Sequence, residues 1–202
     1  LVRIFRRGSR THFCSSLAFP PVVRDDVFAL YAFVRTADDF VDQPPGQQDA
    51  AGFYAFRERY RSTADGSTDG DPVIDSFVEL SVRKRLPEDW MDAFLDVMEQ
   101  DLTPANYPTI EDTLAYVYGS AEVVGLMMAA IMDLPEEAYE PARMLGRAMQ
   151  YINFIRDIAE DLELGRTYLP SEALAEAGLR SLNLDEVNKN VPAFCRFVSG
   201  EL

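Results

Sequence analysis

The sequence contains very few of the residues on which several common kinds of site depend. His12 is its only histidine, which excludes a histidine-based zinc site and a Ser-His-Asp triad. Cys14 and Cys195 are the only cysteines and form no spaced motif, so we expect no disulfide framework. Lysine occurs only at Lys84 and Lys189, so arginine supplies nearly all of the positive charge.

Positive charge is scarce overall. The chain has 19 lysines and arginines against 34 aspartates and glutamates, a formal net charge of −15. Nucleic-acid binding needs clustered cations, so we expect no nucleic-acid partner. A lysine-poor acidic surface suits a protein from a salt-adapted organism, and an ordinary acidic protein is an equal alternative.

Long apolar runs are also lacking. The longest uncharged apolar run, Val123 to Met132, is far shorter than the roughly 18 residues of a membrane-spanning helix. The N-terminal arginines precede no apolar segment, so we expect no signal peptide. Leu1 is not a methionine, which is compatible with a sequence that begins inside a longer chain. We therefore expect a soluble, cytoplasmic protein, and 202 residues suit a single domain.

What the sequence does have is helical periodicity, with apolar residues at steps of three and four. The spacing predicts a helix over Val22–Val41, a second over Thr109–Met132 with a capping box of Thr109 and Asp112, and a third from about Glu136 to Leu164. Shorter helices are predicted at Asp49–Ser62, Val73–Arg85, Glu88–Leu102 and Leu184–Ser199. Strand alternation is scarce, so the predicted fold class is all-α.

Two acidic segments stand out within these helices. Asp38 and Asp42 lie four residues apart in one, and Asp157 and Asp161 lie four residues apart in the other. Such pairs share one face of a helix, where like charges destabilise it. A divalent cation would reverse this penalty, and Mg²⁺ held by one or two carboxylates together with substrate phosphates fits the pattern.

The alternative is a pair of solvated acidic faces. Against it, Gln150 and Asn153 continue the second stripe as uncharged amides. Arg35 and Arg156 are placed among the acids of the two segments. The spacing favours metal binding without excluding the alternative.

A basic cluster lies at the N-terminus, where Arg3, Arg6, Arg7 and Arg10 precede Thr11. Phosphate coordination and a solvated terminus explain this cluster equally well.

Together these segments resemble the squalene/phytoene synthase family of head-to-head prenyltransferases, and most closely its phytoene synthases. The resemblance runs from Gly8 to about Pro170. Its matching segments are Ser9-Arg10-Thr11, Tyr31 to Asp42, Tyr116 to Gly125, Gln150 to Asp161, and Gly165 to Pro170. Glu122 departs from the pattern, because many relatives have glycine there.

The resemblance implies an all-α isoprenoid synthase bundle with a central cavity. Residues 1–202 would form a single domain that is truncated at its C-terminus, because the family continues through further helices that complete the cavity. Residues supplied by those helices lie outside this sequence.

The resemblance also implies site residues and a cofactor. Mg²⁺, with Mn²⁺ as an alternative, would be bound by Asp38, Asp42, Asn153, Asp157 and Asp161. The substrate would be bound by Ser9, Arg10, Thr11, Tyr31, Arg35, Gln150, Arg156 and Arg166. The catalytic candidates are Arg35, Tyr116 and Tyr168.

The implied reaction condenses two geranylgeranyl diphosphates to phytoene through a cyclopropyl diphosphate. The alternatives are a squalene or dehydrosqualene synthase acting on farnesyl diphosphate, or a non-catalytic relative that binds prenyl diphosphates. NADPH would be needed only by a squalene synthase. Peripheral membrane contact during product release is a further expectation, and the sequence leaves the oligomeric state open.

Overall fold

The computed structural model describes residues 1–44, 46–63, 66–103 and 105–201. Helices and connecting turns make up these ranges, which contain no strand, so the all-α prediction is confirmed. The α-helices are α1 Val2–Gly8, α2 Arg10–Ser16, α3 Pro21–Val41, α4 Ala50–Ser62, α5 Pro72–Lys84, α6 Glu88–Gln100, α7 Ile110–Val117, α8 Val123–Ile131, α9 Tyr139–Arg156, α10 Ile158–Glu163, α11 Ser171–Glu176, α12 Leu184–Lys189 and α13 Val191–Glu201.

Helix α3 lies at the centre of the N-terminal half and contacts α1, α4, α5 and α6. Pro21 begins it, at a position where its missing N–H costs no hydrogen bond. Phe33 is fully buried, and its ring centroid lies 4.9 Å from that of Phe56 and 4.3 Å from that of Phe77. This aromatic packing fixes the orientation of α3 and therefore of the acidic segment at its C-terminal end.

The predicted helix over Thr109–Met132 is present, with a change of winding in its middle. The capping box forms, because the Thr109 hydroxyl accepts from the Asp112 N–H while the Asp112 carboxylate accepts from the Thr109 N–H. A π-helical turn at Tyr118–Glu122 separates α7 from α8. Such turns insert one extra residue and are frequent near functional sites.

Two glycines allow α9 to lie backbone against backbone on α8 and on the π-helical turn before it. A Cβ at Gly125 would lie 2.4 Å from the Ala142 carbonyl oxygen, and a Cβ at Gly146 would lie 2.5 Å from the Ala121 carbonyl oxygen. Larger side chains would force the two helices apart, so this crossing depends on both glycines.

The predicted helix from Glu136 to Leu164 is correct in position and wrong in continuity. A short 3₁₀ turn at Glu136–Ala138 precedes α9, which ends at Arg156. Asp157, with φ −101° and ψ 13°, leaves the helical conformation before α10 begins. The chain then turns at Gly165, whose φ of 72° favours glycine.

The predicted helix over Leu184–Ser199 is also interrupted. Asn190, with φ −144° and ψ 58°, separates α12 from α13. Pro192 accounts for the break, since it has no N–H to donate to a carbonyl of the preceding turn and is tolerated only in the first turn of a helix, which it occupies in α13. The short helices α1, α2 and α11 were not among those predicted.

The expectation that no helix could span a membrane needs a correction. By length and composition alone, the stretch Ile110–Ile131 is long and apolar enough to cross a membrane, with a mean hydropathy of 1.6. A count of uncharged runs missed it because Glu122 alone interrupts its apolar C-terminal part. In the fold, 56% of this stretch is buried against other helices, and a core helix can have the same composition.

Candidate functional site

The first acidic segment ends α3 and is organised around Arg35. Its guanidinium lies 2.6 Å from a carboxylate oxygen of Asp38 and 2.6 Å from one of Asp39, and 3.9 Å from Asp42. Asp42 follows Val41, the last residue of the helix, and its backbone N–H donates to the Asp38 carbonyl at 2.8 Å. One arginine therefore faces three carboxylates, which leaves a local excess of negative charge.

The second acidic segment straddles the break after α9. Asp157 accepts two hydrogen bonds of 2.6 Å from the guanidinium of Arg156, which is largely exposed. The Asp157 carbonyl accepts from the Asp161 N–H at 2.8 Å, so the two carboxylates stay one turn apart. On the preceding turns, the Asn153 side-chain amide lies 3.5 Å from the Gln150 side-chain oxygen.

Arg166 brings the two acidic segments together. Its backbone N–H donates to the Asp161 backbone carbonyl at 2.8 Å, which connects Arg166 to the second segment. Its guanidinium lies 3.5 Å from the Asp42 carboxylate and donates to the Val41 carbonyl at the end of the first segment. Both segments therefore adjoin a single, nearly buried arginine.

Gln48 forms a second connection at the same place. Its side-chain amide donates to the Val41 carbonyl at 3.1 Å and to the Asp101 carbonyl at 2.6 Å. The Arg166 guanidinium reaches the same two carbonyls, lying 3.5 Å from that of Asp101. The C-terminal ends of α3 and α6 are thus held side by side.

The catalytic candidates Tyr116 and Tyr168 lie together beside this junction. Their ring centroids are 4.7 Å apart, and the Tyr168 ring stacks on Phe154 of α9 at 4.8 Å. Both hydroxyls donate to the buried carboxylate of Asp101, at 2.7 Å from Tyr116 and 3.1 Å from Tyr168. Burial, followed by the charge of Asp101, raises the pKa of both phenols above the usual value, so they stay protonated near neutral pH.

The electrostatics of the acidic segments suit a cation. Burial and the neighbouring charge of Asp42 raise the pKa of Asp38 to about 7, although Arg35 opposes the shift. Burial and the charge of Asp157 likewise raise the pKa of Asp161 to about 7, against the effect of Arg166. A divalent cation would relieve this repulsion and favour the ionised carboxylates.

The arrangement does not form a metal cage made by protein alone. Within the described ranges, no three acidic, histidine or cysteine side chains lie together in a way that could hold a metal ion. Mg²⁺ commonly uses one or two carboxylates and completes its shell with water and phosphate oxygens. The carboxylate and amide oxygens of the two segments therefore fit a magnesium ion held jointly with a diphosphate.

The predicted N-terminal substrate segment lies at the start of α2, directly after α1, which packs against α3. Ser9 caps α2 by accepting from the His12 N–H at 3.2 Å, while Arg10 and Thr11 are exposed. Tyr31, one turn before Arg35, stacks on Phe5 of α1 with ring centroids 3.7 Å apart. A Cβ at Gly8 would lie 2.4 Å from the Tyr31 hydroxyl, so glycine allows the end of α1 to approach the first acidic segment.

An open groove lies on a different face of α9 from Asn153. It has a volume of about 610 Å³ and opens between α9, α11 and the ends of α7 and α13. Met144, Ala148, Tyr151 and Ile152 line its α9 side. The space beside Asp161, Arg166 and Tyr168 is only about 10 Å³.

Three polar residues that matter at this site were not predicted. Asp101 and Gln48 organise the junction described above, yet neither belongs to a spaced motif. Glu122 was noted only as a departure from the family pattern. Its carboxylate is fully buried and accepts a hydrogen bond of 2.6 Å from the Arg147 guanidinium. The Arg143 guanidinium lies 3.6 Å from its other oxygen. In an acidic chain, an isolated aspartate or glutamate carries no signal that distinguishes it from surface acids.

Comparisons with known proteins agree with the resemblance carried by the motifs. A model of the squalene/phytoene synthase family matches residues 5–199. The chain is 34% identical over 185 residues to the 15-cis-phytoene synthase of Paracoccus sp., an alignment that covers 86% of this chain and 60% of that protein. It is 35% identical over 186 residues to the 15-cis-phytoene synthase of Enterobacter agglomerans, covering 88% of this chain and 63% of that protein.

A solved structure supports the fold independently. A squalene synthase from Alicyclobacillus acidocaldarius superposes with a TM-score of 0.84 at 26% sequence identity, covering 98% of this chain and 75% of that chain. The expected helical-bundle class is therefore confirmed. The chain spans about 60% of the length of the curated relatives it matches.

Proposed function

The chain belongs to the squalene/phytoene synthase family, and from this premise we propose that it carries the diphosphate-binding part of an enzyme that condenses two geranylgeranyl diphosphates to phytoene. The observation that carries the proposal is the meeting of the two acidic segments at Arg166, next to two tyrosines. The phytoene synthases among its relatives, at 33–35% identity, support phytoene as the product.

The proposed reaction has two stages. In the first, the C–O bond of one substrate breaks and diphosphate leaves, which creates an allylic cation. The double bond of the second substrate attacks this cation, and loss of a proton closes a cyclopropyl diphosphate. In the second stage the remaining diphosphate leaves, the carbon skeleton rearranges, and loss of a second proton gives phytoene.

In this proposal the acidic residues hold the metal and the arginines bind diphosphate. Mg²⁺, or Mn²⁺ in its place, would neutralise the charge that develops on the leaving diphosphate. It would be held by Asp38, Asp42, Asn153, Asp157 and Asp161. The substrate diphosphates would contact Ser9, Arg10, Thr11, Tyr31, Arg35, Gln150, Arg156 and Arg166.

The arginines differ in how free they are to bind a ligand. The Arg156 side chain is largely exposed and pairs with its neighbour Asp157, so it can turn towards a diphosphate. The guanidinium of Arg35 already pairs with Asp38 and Asp39, so its N–H groups would be shared between these carboxylates and the substrate diphosphate. The guanidinium of Arg166 donates to the backbone carbonyls of Val41 and Asp101. Because these bonds already occupy it, its main role in this proposal is to orient Asp42.

Tyr116 and Tyr168 would lie beside the reacting carbons. Their rings, with those of Phe154 and Tyr107, form an aromatic cluster at the end of the second segment. Aromatic faces stabilise cations, and the cluster excludes water that would quench a carbocation. Neutral phenols fit this role, since their raised pKa keeps them protonated.

The second candidate is a squalene or dehydrosqualene synthase that acts on farnesyl diphosphate. Its support is the fold similarity to the Alicyclobacillus squalene synthase. Only squalene formation would need NADPH, because it adds a hydride. A non-catalytic relative is disfavoured, since it would gain nothing from keeping the destabilising aspartate pairs.

We also propose a cytoplasmic location with peripheral membrane contact. The products of all the candidate reactions are long hydrocarbons, and they would leave the enzyme most readily into a lipid phase. Co-sedimentation of the full-length protein with vesicles tests this location, and binding no greater than that of an unrelated acidic protein would argue against it.

The main test is product formation by the full-length protein. The protein is incubated with Mg²⁺ and either labelled geranylgeranyl or labelled farnesyl diphosphate, with and without NADPH. We expect phytoene from the longer substrate, without dependence on NADPH. Squalene or dehydrosqualene from the shorter substrate would support the second candidate, and no release of diphosphate from either would contradict both.

A further inference from the structure

Asp101 is a buried carboxylate at the C-terminal end of α6, outside both acidic segments. It is only 7% exposed. One of its oxygens accepts from the Tyr116 hydroxyl at 2.7 Å and the other accepts from the Tyr168 hydroxyl at 3.1 Å. Removing a carboxylate from water is costly unless it gains such partners, so the two bonds account for its burial.

The Asp101 backbone is fixed as firmly as its side chain. Its carbonyl accepts from Gln48 at 2.6 Å and lies 3.5 Å from the Arg166 guanidinium. The same two donors bind the Val41 carbonyl next to Asp42. The carboxylate therefore has a defined position relative to the first acidic segment.

The two tyrosines are held on their other sides as well. The Tyr168 carbonyl accepts from the Thr113 hydroxyl at 2.9 Å. The Tyr168 ring stacks on Phe154, which follows Asn153 in the second acidic segment, with an interplanar angle of 14°. The Tyr116 ring packs against those of Tyr107 and Tyr168, and Asp101 binds the hydroxyl ends of both Tyr116 and Tyr168.

We propose that Asp101 is a positioning residue that fixes the Tyr116 and Tyr168 hydroxyls beside the two acidic segments. Because each hydroxyl hydrogen donates to Asp101, the lone pairs of each phenol oxygen are directed away from it. Those lone pairs place partial negative charge next to the aromatic cluster, where it stabilises a carbocation. The inference rests on the proposed function, since only a cationic reaction would use this orientation.

The charge of Asp101 is consistent with this role. Burial raises the pKa of Asp101, while Arg166 and the hydrogen bonds from Tyr116 and Tyr168 oppose the shift. These partners favour the ionised carboxylate, which accepts hydrogen bonds and donates none.

The test compares Asp101→Asn with a matched control, Asp26→Asn, in the full-length protein. Asp26 is 5% exposed and accepts two hydrogen bonds from Arg83, at 2.6 and 3.1 Å, away from the site. Both changes remove a buried charge without altering the shape of the side chain. We expect Asp101→Asn to lower kcat at least about tenfold with little change in KM, and Asp26→Asn to leave kcat within about twofold.

A double-mutant cycle separates positioning from a general loss of stability. If Asp101 acts through Tyr168, the combined variant Asp101→Asn with Tyr168→Phe should have a kcat close to that of the worse single variant. Independent, multiplying effects would overturn the inference, as would an Asp101→Asn enzyme with undiminished kcat. Should Asp101→Asn not fold, Tyr116→Phe and Tyr168→Phe keep Asp101 in place, and full kcat in both would equally overturn it.

A readout without substrate distinguishes failure of this inference from failure of the proposed function. The near-ultraviolet circular dichroism of tyrosine reports fixed, asymmetric ring environments. At a temperature where the far-ultraviolet signal shows each variant to be folded, Asp101→Asn should weaken this near-ultraviolet signal and Asp26→Asn should not. An unchanged signal contradicts the inference, whereas a parent protein that forms no product contradicts the proposed function alone.

Discussion

Glu122 is a fully buried carboxylate whose loss should measurably destabilise the fold. It lies on the π-helical turn, is fully buried, and accepts a 2.6 Å hydrogen bond from Arg147 of α9. Its second oxygen lies 3.6 Å from Arg143, beyond hydrogen-bond distance. The substitution Glu122→Gln keeps the volume and removes the charge that both arginines face.

The expected cost follows from the burial of each partner. Breaking a fully buried ion pair typically costs about 3–5 kcal/mol. Here both arginine side chains are 33% exposed, so water solvates the guanidinium groups that lose their partner. The glutamine oxygen also retains an acceptor for Arg147. We therefore expect a loss of about 2–3 kcal/mol, below the cost of breaking a fully buried pair.

Thermal unfolding followed by circular dichroism at 222 nm measures this cost. For a domain of this size, about 1 kcal/mol corresponds to a change in Tm of about 2–4 °C, so Glu122→Gln should lower Tm by about 4–12 °C. The control is Glu140→Gln, which removes an exposed partner of Arg143 at 2.9 Å and should cost less than about 1 kcal/mol. If the two variants have the same Tm, the buried pair does not stabilise the contact between α9 and the π-helical turn.

Four further predictions concern the first acidic segment, the helix crossing and the length of the prenyl chain. Asp38→Asn should lower turnover by about 100-fold or more, because it removes a proposed metal ligand. Since the folded pKa of Asp38 is about 7, above its ordinary value, its charge destabilises the fold increasingly as the pH rises from about 4 to 7. Without divalent cations, the Tm of Asp38→Asn relative to the parent should therefore be higher at pH 8 than at pH 5, and an opposite trend would contradict the pKa. Gly146→Ala should lower Tm, because the added Cβ would lie 2.5 Å from the Ala121 carbonyl oxygen. The control Gly200→Ala, where the added Cβ would meet no atom within 4 Å, should leave Tm unchanged. Equal changes in Tm would refute the close crossing. Ala121→Phe should shift product ratios towards farnesyl-derived products if Ala121 borders the prenyl chain, while an unchanged ratio in a destabilised variant would assign it to ordinary core packing.

The sequence alone determined the helical class, the positions of the long helices and the two acidic segments. These features are local, because an apolar stripe and a carboxylate pair four residues apart depend only on the geometry of one helix. The capping box of Thr109 and Asp112 was predictable for the same reason. The errors arose where a single residue ends a helix, at Asp157 and before Pro192, since a periodic pattern does not reveal the break.

Only the tertiary structure decided which polar residues meet at the site. Arg166 contacts the Val41 carbonyl 125 positions away, and Asp101 binds Tyr168 across 67 positions. No spacing rule connects such residues, because their distance depends on how α3, α6 and the segment after α10 pack. Asp101 and Glu122 resemble every other acid in a chain of net charge −15 until burial and their partners distinguish them. The sequence determined which residues could bind a cation, and the packing of the helices determined which side chains hold them in place.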